Sequence, residues 1–162
     1  MTKQEAYNRI KAHFSMPGSE FGWGDEEQSC VYLDKDSRAR CAVGVLIPEK
    51  EAFDEIAINS QGSVDGLKTE LLRDMEGENV QRARAARRLY DLLGLDDFSM
   101  TAFLQGCQTI HDRHAECYAT QYVSAWNRQS EYDIVIDSGI EAAKAAMLRE
   151  YADFATREGL VA

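Results

Sequence analysis

Apolar residues near the start of the chain recur at helical intervals. Ala6, Tyr7, Ile10 and Phe14 share one side of a 3.6-residue period. Thr2 and Glu5 have capping-box spacing and Pro17-Gly18 closes the segment, so a first helix is expected between them. Residues 18 to 29, GSEFGWGDEEQS, are glycine-rich and acidic, as in a loop, with Phe21 and Trp23 placed to pin it to the body. The short run CVYL, the polar DKDSR and a second apolar run ending at Pro48 read as a hairpin, or as a strand followed by a short helix. Gly44 inside the second run weakens either form. Residues 49 to 67 are mixed, with a turn at Asn59 to Gly62.

Helical periodicity dominates the rest. Val64 to Met75 carries Leu67, Leu71 and Leu72. Asn79 to Leu93 places Ala85, Leu89, Leu92 and Leu93 on one side, with Gly94 as its stop. Asp97 or Ser99 caps a further helix to about Tyr118, and the segment around Gln121 to Asn127 continues it. EYDIVID, residues 131 to 137, alternates too weakly to assign to helix or strand. Ser138 and Glu141 repeat the capping-box spacing, and Ile140, Met147, Tyr151 and Phe154 form a stripe that ends at Gly159. The expected fold is mainly α: one helix-rich domain over residues 1–162, with about five to six helices and a small β-hairpin at residues 30–47.

Composition narrows the function classes. The chain has 162 residues, 44% hydrophobic and 28% charged, which is ordinary for a globular domain. No run of apolar residues is long enough to span a membrane. The N-terminus is amphipathic and charged rather than a basic stub before an apolar core, so the expected location is the cytoplasm. Acidic residues outnumber basic ones 28 to 18, a net charge of -10 that repels phosphate backbones and argues against nucleic acid. Such a surface suits a protein partner, a host or bacterial protein. Four cysteines, Cys30, Cys41, Cys107 and Cys117, occur without a C-x-x-C, and free thiols are expected in that compartment.

Candidate chemistry lies in three places. In CQTIHDRHAEC, Cys107, His111 and His114 fall in one helical sector, and thiolate and imidazole are zinc ligands; a metal centre there is the alternative to none. Cys41 with His111 or His114 as base would make a thiol-dependent hydrolase or transferase. Asp112 follows His111 directly, and side chains about 100° apart on a helix make it a poor orienter of that ring. The bland alternative is that Cys41 fills a small apolar space and His111 is a core residue. Arg84, Arg87 and Arg88 form a basic stripe opposite the apolar face, either paired with Glu76, Glu78 or Asp91 or anchoring a small anionic ligand. The chain contains no phosphate-binding glycine loop, calcium loop or nucleophile-elbow motif, so no cofactor is expected.

Cys30-Val31-Tyr32, Arg40-Cys41-Ala42-Val43-Gly44-x-Leu46-Ile47-Pro48-Glu49, Gly62-x-Val64-x-x-Leu67 and Phe103-Leu104-Gln105-x-x-Gln108-x-x-His111-Asp112 stand in order along the middle of the chain. This pattern resembles that of a family of small uncharacterised proteins of bacteria and their phages, C-x-Y…CAVG-x-LIP-x-E…L-Q-x-x-HD. The resemblance covers roughly residues 30 to 112 and implies a bacterial or phage source without an activity. The expected function is therefore a non-catalytic, phage- or prophage-derived interaction protein that binds or inhibits a host protein, with the thiol enzyme and the anion binder as alternatives.

Overall fold

The computed structural model describes residues 1–24, 29–34, 37–48, 64, 67, 80–126 and 132–162. Among them are four α-helices: α1 (Lys3–Phe14), α2 (Val80–Leu93), α3 (Phe98–Trp126) and α4 (Tyr132–Arg157). Two short strands, β1 (Trp23–Gly24) and β2 (Ser29–Cys30), and a 3-10 turn, Gly44–Leu46, complete the elements. The molecule is mainly helical, as the periodicity requires.

Two of the helix starts have a visible local cause. Thr2 accepts from the Glu5 amide and Glu5 reaches back to the Thr2 amide, the full capping box of α1. Asp97 caps α3, its carboxylate accepting the Ser99 amide at 2.7 Å. Hydrogen bonds from the Ser99 hydroxyl and amide hold the Asp97 carboxyl below its ordinary value. Gly94, at φ 71°, supplies the left-handed residue that stops α2.

Some expectations need correction. EYDIVID is helical from Tyr132 onward, so Ser138 lies inside α4 and its spacing to Glu141 does not mark a helix start. Glu141 instead pairs with Lys144 at 2.6 Å. Leu92 is 40% exposed and does not share the buried side of α2 with Ala85, Leu89 and Leu93. The hairpin over 30–47 is replaced by a different device. Antiparallel pairing joins Trp23 to Cys30 and Gly24 to Ser29, one segment earlier, and the second apolar run folds as the 3-10 turn. The expected turn at Asn59 to Gly62, Leu71 and Leu72 lie outside the described residues. Val64 and Leu67 are helical and fully buried.

α3 and α4 pack antiparallel along their length. Phe103 stacks on Phe154, the Tyr151 hydroxyl donates to the Cys107 carbonyl at 2.8 Å, and Tyr118 lies near Gly139. Gly106 permits this approach: a Cβ there would sit 2.5 Å from the Phe154 ring. α1 lies across the pair, with Lys3 bonded to Glu158 at one end and Phe14 against His111 nearer the other. Tyr7, Ile10, Phe14, Phe103, Leu104, Met147 and Tyr151 are almost fully buried between these helices. Each such side chain contributes about 1.5–3 kcal/mol.

The described parts of segment 21–47 are held to one another by backbone contacts. Gly22 donates to the Arg40 carbonyl at 3.1 Å and accepts from Val31 at 3.0 Å, so three stretches of chain run side by side. Gly44 presses on the next layer, and a Cβ there would lie 1.8 Å from the Tyr32 oxygen. Replacing Gly44 by Ala must therefore move backbone, a loss of about 3 kcal/mol. Gly139→Ala, whose Cβ would meet only Tyr118 at 3.7 Å, should instead gain about 0.5–1 kcal/mol in a helix. Urea denaturation of both variants checks this; equal midpoints would contradict the packing described.

Candidate functional site

The groups singled out from the sequence occupy two environments. Cys41 and His111 are 0% exposed, and both belong to the central apolar cluster or its polar lining. Cys41 precedes the 3-10 turn, and its Sγ accepts the Gly44 amide at 3.3 Å. The same turn is closed by Arg40, whose Nη1 donates to the Gly44 and Ile47 carbonyls at 3.0 and 2.9 Å. The CAVG segment thus forms a small internally bonded knot with the thiol on its inner side.

His111 packs in a three-ring cluster with Phe14 and Phe21, whose own centroids are 6.0 Å apart. Phe14 and Phe21 each place a ring centroid 5.5 Å from the imidazole. Its Nδ1 is 2.9 Å from Asp112 Oδ1, whereas its Nε2 is buried without a hydrogen-bond partner. Asp112 does therefore orient the ring, against the expectation from helical divergence. Nδ1 stands only two bonds from Cβ, so it stays within reach of the next side chain even when the two Cα–Cβ vectors separate by about 100°. A carboxylate accepting Nδ1–H leaves Nε2 as the lone-pair nitrogen.

His114 and Cys107 are used differently. His114 Nε2 is 3.0 Å from Glu150 Oε2, and Arg113 bonds the other oxygen of the same carboxylate. Desolvation pushes the Glu150 carboxyl up, but the hydrogen bonds from His114 and Arg113 outweigh it and hold the group below its ordinary value. Burial drives the Cys107 thiol far above its ordinary value, with a smaller push from Glu158. Cys107, His111 and His114 share a helix face but do not converge, and no group of three or more His, Cys, Asp or Glu side chains converges among the described residues. Cys41, Cys107 and Cys117 are free thiols, and Cys117 is exposed.

The arginine stripe is exposed, as its phase on α2 requires. Arg87 pairs with Asp91 at 2.8 Å and with Asp96 at 3.4 Å, and stacks over the Tyr90 ring. Asp91 was one of the expected partners; Glu76 and Glu78 lie outside the described residues.

Two cations that sequence reasoning passed over organise the region. Lys144 is 2% exposed, yet its ammonium donates to the Met16 and Ser19 carbonyls and to the Ser19 hydroxyl, each at 3.2 Å. It fastens the turn after α1 onto α4, with Glu141 as its counter-ion. The available signal was its place at helical spacing within the stripe from Ile140 through Met147 to Tyr151. Arg40 is the second. Between them lies His13, half-buried, its Nε2 sealed from water without a partner. No helix among the described residues is long and apolar enough to cross a membrane. No family model, no curated protein and no solved structure matches the chain.

His13 gives this region a pH dependence. Desolvation, followed by the charges of Arg40 and Lys144, lowers its proton affinity below the ordinary 6.5. The unfolded chain then binds more protons than the folded one just below that value, so the stabilisation is complete above pH about 6.5 and is lost as pH falls through the folded value. Glu150, also lowered, acts in a separate window below 4.5. Unfolding midpoints measured from pH 7.5 to 5 should fall in the wild type and flatten in His13→Gln. A His13→Gln profile parallel to wild type would contradict this assignment.

Proposed function

We propose that the chain is a non-catalytic, acidic interaction protein of phage or prophage origin that works in the bacterial cytoplasm by binding or inhibiting a host protein. The observation that carries this reading is the burial of Cys41. A nucleophile must meet its substrate, and this sulfur is fully enclosed and already accepts the Gly44 amide. A small side chain is what the knot at 40–47 requires, because its backbone lies against Gly22 and Tyr32. The net charge of -10 fits a partner with basic groups.

One observation favours the thiol-enzyme alternative: Asp112 and His111 have the bonding of an oriented base, with Nε2 unengaged. That ring is as fully enclosed as the sulfur and packs against both Phe14 and Phe21. The anion-binding alternative rests on Arg84, Arg87 and Arg88, and one of these, Arg87, is already matched by Asp91 and Asp96.

Cys41→Ala should fold, lose about 1 kcal/mol of stability and capture the same host protein from a bacterial lysate as the wild type does. Loss of that capture by a variant with unchanged circular dichroism would transfer the case to the enzyme reading. Failure of the wild type to retain any host protein would count against the interaction reading itself.

A further inference from the structure

We draw no further inference here: the strongest candidate, the exposed apolar side chains Phe98 and Val161 at the end of the helical body where α3 begins and α4 finishes, carries none because nothing in the structure shows what covers them.

Discussion

The Tyr32 carbonyl occupies the space where a side chain at position 44 would begin. Two backbones can meet at that distance only if one belongs to glycine, and much of the middle of the molecule follows from the contact. It brings the 3-10 turn against the 31–33 stretch, while Gly22 brings the same stretch against residues 40 and 41. Cys41, Ala42 and Val43 are fully buried beside these backbones, as are Leu46 and Ile47 of the same turn. The thiol in that position is fully enclosed, and its hydrogen bond from Gly44 completes the knot.

The polar interior is arranged around the same knot. Arg40 closes the turn through two carbonyls, Lys144 closes the neighbouring loop through two more, and His13 sits within the field of both. Cations on backbone carbonyls, buried for Lys144 and half-buried for Arg40, stabilise loops that have no regular partner. They also make the neighbouring imidazole less basic, which couples the docking of α1 to proton concentration. Chemistry-bearing groups are thus committed to holding irregular chain in place, while apolar side chains that serve no core purpose gather at the end where the chain termini meet.

The helices were legible because they declare themselves locally. Thr2 with Glu5, Asp97 with Ser99, and the spacing of Ala6, Tyr7, Ile10 and Phe14 all act within one or two turns, and the structure uses each as read. The stretch 131–137 was ambiguous because weak alternation there competes with its continuity into the α4 stripe. The fold of 21–47 was illegible for a different reason. A run such as CAVGVLIP has the composition of a strand, and only the long-range approach of Tyr32 to Gly44 dictates a turn. Cys107, His111 and His114 lie at helical spacing on α3, but spacing does not tell whether side chains converge; Glu150, thirty-six residues beyond His114, bonds that ring. Lys144 was hidden because its carbonyl partners lie 125 and 128 residues earlier.

Residue-resolved alkylation of the native protein by iodoacetamide tests the central claim most directly. Exposed Cys117 should react within minutes, and Cys41 should react no faster than the whole chain unfolds. Modification of Cys41 in the native state at a rate near that of Cys117 would mean that the sulfur is open to solvent, and the account of a sealed core with function on the outer surface would not stand.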